Sequence, residues 1–206
     1  MMEYSEVLRQ FAFVISASYL IGSIPTGYLI VKFLKGEDIR QIGSGSTGAT
    51  NVKRVLGKKW FFTVMVLDAL KGAIPVILTT IFASAIWQWG VLPVVSAICV
   101  ILGHSKSVFL NFTGGKSVAS GIGTLFALSW QTGLVIAGVW AVVTWISKYV
   151  SLGSIVALSL APIVMWLFNA PVAYVIYAII AAIYVIYLHR QNIERLKNGT
   201  ENKVRE

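Results

Sequence analysis

Long apolar runs alternate with short polar segments along the chain. The apolar residues are concentrated in stretches at about 10–33, 60–83, 88–103, 118–147, 154–168 and 171–188. A helix needs about 20 apolar residues to cross the hydrocarbon layer of a bilayer. The run 118–147 is too long for one crossing, and Thr132 and Gly133 near its middle predict a break into two short helices. The pattern predicts an all-α integral membrane protein with about seven transmembrane helices, some of them short.

Composition supports this class. The chain is 57% hydrophobic and 12% charged, whereas an ordinary soluble domain has about 25% charged residues. We interpret residues 1–206 as a single membrane domain. The single cysteine, Cys99, lies in an apolar run and excludes an internal disulfide. The N-terminal segment is acidic rather than basic, so we expect the first helix to be retained rather than cleaved as a signal peptide.

Lysine and arginine are distributed unevenly. With the C-terminus in the cytoplasm, fifteen of the 17 lie in cytoplasmic segments, Arg9 lies outside, and Lys71 lies within a helix. An excess of Lys and Arg marks cytoplasmic loops, so we expect the N-terminus outside and the C-terminus in the cytoplasm. The net charge of +9 then reflects topology, and no nucleic-acid partner is expected. Every glycine-rich polar segment falls on the cytoplasmic side, which predicts one site facing the cytoplasm.

The segment GSGSTGATNVKR, residues 43–54, has features of an anion site. Glycines beside serines and threonines let backbone N–H groups turn toward an anion, and Arg54 can add a bidentate contact to phosphate. Ser44 could be a nucleophile, but no histidine or acid lies near it in sequence, so a hydrogen bond to phosphate is the favoured role. Thr50 and Asn51 are further candidate substrate ligands. A flexible loop with ordinary positive-inside charge fits the composition equally well.

The segment GGKS, residues 114–117, matches the end of the nucleotide-binding motif G-x-x-x-x-G-K-[ST]. The residue five before Gly115 is Leu110 rather than glycine, so no nucleotide is expected. We expect Gly114 and Gly115 to open a helix beside Lys116, an arrangement that binds a smaller phosphate. A lysine that extends its amino group to the membrane interface explains the same pattern equally well.

Two further pairs stand out near helix ends. His189 and Asn192 are one helical turn apart where the last apolar run ends, so they share a face. Ser151 and Ser154 begin another run and could cap that helix or donate to phosphate. His104 also ends an apolar run, where an interfacial or packing role is more common than catalysis.

Asp68 and Lys71 lie three residues apart inside an apolar run. Charges within a membrane are costly and are usually paired. We expect a structural ion pair that supports the site.

The segments GSGSTGATNVKR, GHSKSVFLNFTGGKSVAS and HRQNIERLKNGTE together resemble the three signature motifs of bacterial acylphosphate:glycerol-3-phosphate acyltransferases, the PlsY family. The resemblance includes IGSIPTGYLI and LDALKGAIP and so covers nearly the whole chain. It implies a seven-helix enzyme of the bacterial inner membrane with its active site facing the cytoplasm. The implied reaction transfers a fatty acyl group from acyl phosphate to the 1-hydroxyl of sn-glycerol 3-phosphate, giving lysophosphatidic acid and inorganic phosphate. This is the first step of phospholipid synthesis, with no cofactor, metal or nucleotide.

The resemblance also implies roles for individual residues. The family's catalytic and phosphate-binding positions fall on Ser44, Arg54, Lys116, His189 and Asn192. Substrate-binding roles are expected for Thr50, Asn51, His104, Gly114, Gly115 and Ser154, with Ser151 as the alternative serine. Glu201 matches a structural position, beside the support expected from Asp68 and Lys71. The sequence departs from the family pattern at four positions. Ser46 stands where the family usually has Asn, and Ser107 where it often has Pro. Thr113 stands where a basic residue is common, and Ser117 where Gly is usual.

The residues fit the implied chemistry. Acyl phosphate is a mixed anhydride with a good leaving group, so direct attack by the glycerol hydroxyl needs mainly positioning and charge neutralisation. A phosphate oxygen of a substrate or His189 takes the proton. Two alternatives remain: a transporter for an anionic metabolite, although the outer loops have almost no polar recognition chemistry, and an intramembrane serine protease, although Ser44 lies in a basic loop.

Overall fold

The computed structural model describes residues 4–83 and 90–204. The helices within them are α1 Tyr4–Ser23, α2 Thr26–Lys35, α3 Ala49–Leu56, α4 Lys58–Ala83, α5 Val91–Ser105, α6 Val118–Leu128, α7 Trp130–Ser147, α8 Val150–Leu167, α9 Val172–Leu188 and α10 Arg190–Lys197. Two 3₁₀ turns cover Ile39–Gln41 and Val108–Leu110. The described residues contain no strand beyond one isolated bridge between Ser107 and Thr113. The all-α prediction is confirmed.

Several helices have the length and apolar character of membrane spans. Four stretches within the described residues qualify by themselves, namely Ser5–Lys35, Lys58–Phe82, Trp130–Ser147 and Val150–Leu167. Helices α9 and α10, bent by 59°, make a fifth if they are taken together. Helices α5 and α6 are apolar but shorter, and the 11 residues of α6 extend only about 16 Å of a hydrocarbon layer about 30 Å thick. Seven crossings remain a prediction, and its boundary at residue 88 lies outside the described residues.

The first apolar run is broken by proline. Helix α1 ends at Ser23 and α2 begins at Thr26, because Pro25 between them has no N–H to continue the helix. The amino group of Lys71 donates to the carbonyl of Ile24 at this break, 2.6 Å away, and lies 2.9 Å from the carboxylate of Asp68. The hydroxyl of Thr26 donates to the same carboxylate. The predicted ion pair is therefore present, and it holds α4 to the break.

The run 118–147 forms two helices, but the predicted position of the break was wrong. Ser129, rather than Thr132 or Gly133, separates α6 from α7. Ser129 has extended backbone, and its hydroxyl accepts from the backbone N–H of Thr132, so it caps α7. Gly133 lies inside α7, where a Cβ would come within 2.7 Å of Cα of Phe126. This glycine allows close helix packing and does not end a helix.

The described residues form two apolar clusters. The larger cluster is built mainly on α5, α6, α8 and α9 and includes Leu125, Met165 and Tyr177. The smaller cluster joins α2, α3 and α4 through Val31, Val52 and Val64, and it also buries Ile39. Because Ile39 lies in the segment between α2 and α3, the smaller cluster fixes the loop that carries the first polar motif.

Candidate active site

The polar motifs meet around one cavity of about 950 Å³, including its open mouth. Polar residues of the lining include Ser44, Thr50, Asn51, Arg54, His104, Lys116, Ser151, Ser154, His189, Asn192, Arg195, Glu201 and Asn202. Apolar residues of the lining include Phe61, Met65, Val118, Ile122, Trp140 and Val150. The five residues predicted to be catalytic, Ser44, Arg54, Lys116, His189 and Asn192, therefore border the same space.

Glu201 organises one wall of the cavity. Its Oε1 accepts from the amide of Asn192 at 2.7 Å and from the hydroxyl of Ser151 at 2.9 Å. Its Oε2 accepts from Nε of Arg195 at 2.7 Å. Burial acts to raise the pKa of Glu201, but these hydrogen bonds outweigh burial and the net pKa is lowered. An ionised Glu201 thus joins α8, α10 and the C-terminal segment.

Lys116 borders the cavity next to the wall that Glu201 organises. Its ammonium donates to Oδ1 of Asn192, whose amide nitrogen donates in turn to Glu201. Burial lowers the pKa of Lys116 to about 8, the positive charges of Arg195 and Arg54 act in the same direction, and Glu201 opposes them. Lys116 is a cation at neutral pH that titrates unusually easily.

His189 lies just beyond the end of α9. Its Nδ1 is 2.8 Å from the carbonyl of Val185, and since a carbonyl only accepts, Nδ1 carries the hydrogen. Burial lowers the pKa of His189 to about 4, and the charge of Lys116 adds to this effect, whereas the bond to Val185 opposes it. The imidazole is therefore neutral at pH 7, with Nε2 left as a proton acceptor.

The first polar motif forms a tight loop around Asn51. The buried amide nitrogen of Asn51 donates to the carbonyls of Ile42 and Ser46, both at 2.9 Å, and its Oδ1 accepts from the backbone N–H of Ser44. Because both amide hydrogens are already donated to the backbone, these contacts do not support Asn51 as a substrate ligand. Its amide instead shapes the loop that presents Ser44 to the cavity. Arg54 follows in the last turn of α3 with an exposed side chain.

Gly114 and Gly115 lie behind the lining rather than in it. The N–H of Gly115 donates to the carbonyl of His104 at 3.0 Å, so it cannot also bind a substrate anion. A Cβ on Gly115 would overlap the imidazole of His104, and one on Gly114 would overlap the His104 carbonyl. The glycines do not open a helix either, since α6 begins at Val118. They let the turn that carries Lys116 pack directly on His104. The His104 side chain borders the cavity, and its Nδ1 lies 3.7 Å from Oδ1 of Asp68.

The serine pair at the start of α8 does not cap the helix, which was one of the two roles considered for it. The cap position is Tyr149, and no side-chain bond caps it. The hydroxyl of Ser154 donates to the carbonyl of Val150 at 2.8 Å and accepts from Nε1 of Trp140 at 3.2 Å. Ser151 donates to Glu201. Both serines border the cavity, but their hydroxyl hydrogens are donated within the protein.

Among the lining residues whose side chains can form hydrogen bonds, sequence reasoning missed Trp140, Arg195 and Asn202. Arg195 follows Asn192 by three residues, just as Asn192 follows His189, so helical spacing could have placed it on the same face. Trp140 had no comparable signal, because its partner Ser154 lies on the next helix. Asn202 directly follows Glu201 in sequence, but no helical spacing marks it.

Comparison with known proteins identifies the family. A sequence model of the family described as glycerol-3-phosphate acyltransferase matches residues 12–199. The chain belongs to this family. It is 49% identical to the glycerol-3-phosphate acyltransferase of Trichormus variabilis, over 93% of this chain and 90% of the relative. It is 44% identical to the enzyme of Thermotoga petrophila, over 90% of this chain and 92% of the relative.

Solved structures agree. The fold is similar to the crystal structure of PlsY (YgiH), an integral membrane glycerol 3-phosphate acyltransferase, in its glycerol 3-phosphate form. The TM-score is 0.88 at 39% identity, covering 95% of this chain and 96% of the other. The lysophosphatidic acid form of that enzyme gives a TM-score of 0.85 at 37% identity, covering 95% of each chain. The family predicted from the three motifs is confirmed, and the protein is a multi-pass, all-α membrane acyltransferase.

Proposed function

We propose that the chain transfers a fatty acyl group from acyl phosphate to the 1-hydroxyl of sn-glycerol 3-phosphate. The products are 1-acyl-glycerol 3-phosphate and inorganic phosphate, in the first step of phospholipid synthesis at the cytoplasmic face of the bacterial inner membrane. The observation that carries this proposal is a single cavity in which Arg54 and Lys116 border the same space as an apolar wall. The similar solved enzyme PlsY (YgiH) is a glycerol 3-phosphate acyltransferase, and its structures are a glycerol 3-phosphate form and a lysophosphatidic acid form.

The polar residues of the lining fit two anionic substrates. Arg54 offers a charged fork suited to phosphate oxygens, and Lys116 offers an ammonium close by. Ser44 and Thr50 lie beside Arg54 in the lining and add hydroxyl donors. Concentrated positive charge in a partly enclosed site attracts anions and stabilises charge that builds up on a phosphate leaving group.

The apolar residues of the lining fit a fatty chain. Phe61 and Met65 of α4 face the cavity together with Ile122 of α6 and Trp140 of α7. The indole N–H of Trp140 is bonded to Ser154, so this large ring has a fixed position. A chain placed here would leave its carbonyl carbon near the cations, as acyl transfer requires.

The proposed step is a direct displacement. The glycerol 1-hydroxyl oxygen forms a bond to the acyl carbonyl carbon, and the bond from that carbon to the phosphate oxygen breaks. The proton of the hydroxyl goes to Nε2 of neutral His189 or to a phosphate oxygen, and phosphate leaves with the electron pair. Asn192 positions Lys116, whose charge offsets that of the departing phosphate.

A covalent route through Ser44 is not favoured. Among the described residues, no histidine or carboxylate is hydrogen-bonded to the Ser44 hydroxyl, so nothing there activates it as a nucleophile. We assign Ser44 to phosphate binding.

The choice of donor tests the proposal. Purified protein in lipid or detergent is given glycerol 3-phosphate with either acyl phosphate or acyl-CoA. We expect lysophosphatidic acid only with acyl phosphate. If lysophosphatidic acid forms with acyl-CoA but not with acyl phosphate, the proposed donor is wrong. Acyl transfer to glycerol 3-phosphate, the activity of the family, would still hold.

A further inference from the structure

We propose that Arg195 is a further substrate-binding residue, whose guanidinium contacts a phosphate group of a bound substrate while Glu201 holds it in position. The identity of the substrate rests on the function proposed above, but the anion site itself does not. Arg195 is in α10 and borders the cavity together with Lys116 and Arg54.

The geometry leaves most of the guanidinium available. Arg195 donates through Nε to Oε2 of Glu201 at 2.7 Å, and an arginine has four more N–H donors on its two terminal nitrogens. Among residues 4–83 and 90–204, Glu201 is the carboxylate within ion-pair distance of Arg195. The Arg195 side chain is 34% exposed and that of Glu201 only 6%. The carboxylate is thus a buried support, and the fork of terminal nitrogens can make the bidentate contact that phosphate favours.

The clustering of charge points to an anion. Arg195 is the charged neighbour that acts most strongly to lower the pKa of Lys116, and Arg54 acts in the same sense. Three cations that border one cavity repel each other. Of the two carboxylates in the lining, Asp68 is paired with Lys71, and Glu201 alone does not neutralise all three cations. A bound phosphate would relieve this repulsion. Unlike Lys116, Arg195 stays charged at any accessible pH.

Spacing on the helix supports the same assignment. Residues three apart on an α-helix share a face, and His189, Asn192 and Arg195 follow each other at this interval. Arg190 makes a contrast on the same helix. Its side chain is exposed and its guanidinium lies 4.7 Å from the centre of the Tyr187 ring, so it serves as the matched control.

The test compares Arg195→Gln and Arg195→Lys with Arg190→Gln. Loss of a charged hydrogen bond to phosphate should raise the KM of Arg195→Gln by about 10- to 100-fold, and Arg195→Lys should show a smaller increase. A higher KM for glycerol 3-phosphate assigns the contact to that phosphate, and a higher KM for acyl phosphate assigns it to the donor. Arg190→Gln should match the wild type.

A second readout tests whether the charge of Arg195 acts on Lys116. Without the Arg195 charge, the pKa of Lys116 should rise, so the fall of kcat/KM at basic pH should move to higher pH in Arg195→Gln. Unchanged KM values for both substrates in Arg195→Gln would overturn the inference, whatever the pH profile shows. If Arg195→Gln does not fold, Arg195→Lys decides alone, and KM values equal to those of the wild type would then overturn it.

Binding of inorganic phosphate keeps this inference separate from the proposed function. Calorimetry of phosphate binding to wild type and to Arg195→Gln needs no acyl transfer. Weaker binding by the variant supports the anion site even if wild type makes no lysophosphatidic acid, a result that would reject only the proposed function. If wild type makes lysophosphatidic acid but binds phosphate no more tightly than Arg195→Gln, only the role of Arg195 is rejected.

Discussion

Lys116 shows how burial sets the chemistry of one residue. A buried ammonium surrounded by other cations releases its proton more readily than an exposed one, and the pKa of Lys116 falls to about 8. Lysine is cationic below its pKa and neutral above it. Phosphate binding by Lys116 should therefore weaken as the pH rises through about 8.

The pH profile of the free enzyme measures this effect. We expect kcat/KM, which reports groups of the free enzyme, to fall as pH rises through about 8 in the wild type. Lys116→Arg keeps its charge in this range, so any activity it retains should show no such fall. A wild-type profile that stays flat to pH 9.5 would contradict the assignment of Lys116.

Departures from the family pattern are accommodated locally. Ser46 accepts from the N–H of Gly48 at 3.3 Å, a turn that an asparagine side chain also forms. Ser107 has a φ of −65°, the angle that proline requires, and its hydroxyl donates to the carbonyl of Ser23.

Ser117 has a φ of 58°, where glycine is favoured, and its hydroxyl donates to the carbonyl of Ile101 at 2.7 Å. Thr113 donates to Leu110, and no contact explains the loss of a basic residue there.

At the scale of elements, the turn before α6 depends on a close approach that only glycine allows. A Cβ on Gly115 would overlap His104, whereas a Cβ on Gly121 in α6 would have no heavy atom within 4 Å. We expect Gly115→Ala to displace Lys116 and to lower both thermal stability and activity. Gly121→Ala should be tolerated, since alanine favours a helix by about 1 kcal/mol over glycine. Melting curves and rates for the pair provide the comparison, and equal behaviour of the two variants would contradict the proposed packing.

The break between α1 and α2 depends on the buried pair of Asp68 and Lys71. Removing one partner leaves an unpaired buried charge, which costs about 3–5 kcal/mol. We expect Lys71→Met to lower the melting temperature in detergent more than the double change Asp68→Asn with Lys71→Met. The double variant removes both charges and so leaves neither unpaired. A double variant less stable than Lys71→Met would show that pairing is not the main contribution.

Local signals in the sequence predicted more of the helices than of their connections. Apolar runs predicted most of the helices, and a spacing of three residues predicted the pair of Asp68 and Lys71. Both signals depend on residues close in sequence. The α6–α7 break was misplaced because Gly133 is read as a helix breaker, although its packing against Phe126 is visible only in three dimensions. Asn51 and Gly115 are predicted as substrate ligands for a similar reason. The sequence does not show that the Asn51 amide is bonded to the Ile42 carbonyl, or the Gly115 N–H to the His104 carbonyl.

At the scale of the molecule, the distribution of charge predicts the orientation in the membrane. In a Cys99→Ala background, Glu6→Cys and Lys197→Cys place single thiols at exposed positions near the two ends. We expect a membrane-impermeant thiol reagent to label Glu6→Cys in intact spheroplasts, and Lys197→Cys only after lysis. Labelling of Lys197→Cys before lysis would contradict the predicted topology and place the cavity on the outer side.

The most direct test of the proposed reaction measures both products together. Purified protein is given acyl phosphate and glycerol 3-phosphate, each alone and in combination, and inorganic phosphate and lysophosphatidic acid are quantified. We predict equal molar amounts of the two products, formed only when both substrates are present. Lys116→Ala should lower the rate at least about 100-fold, and Lys106→Ala, an exposed lysine on the preceding turn, should match the wild type. Phosphate release that does not need glycerol 3-phosphate, or phosphate release without lysophosphatidic acid, would contradict the account.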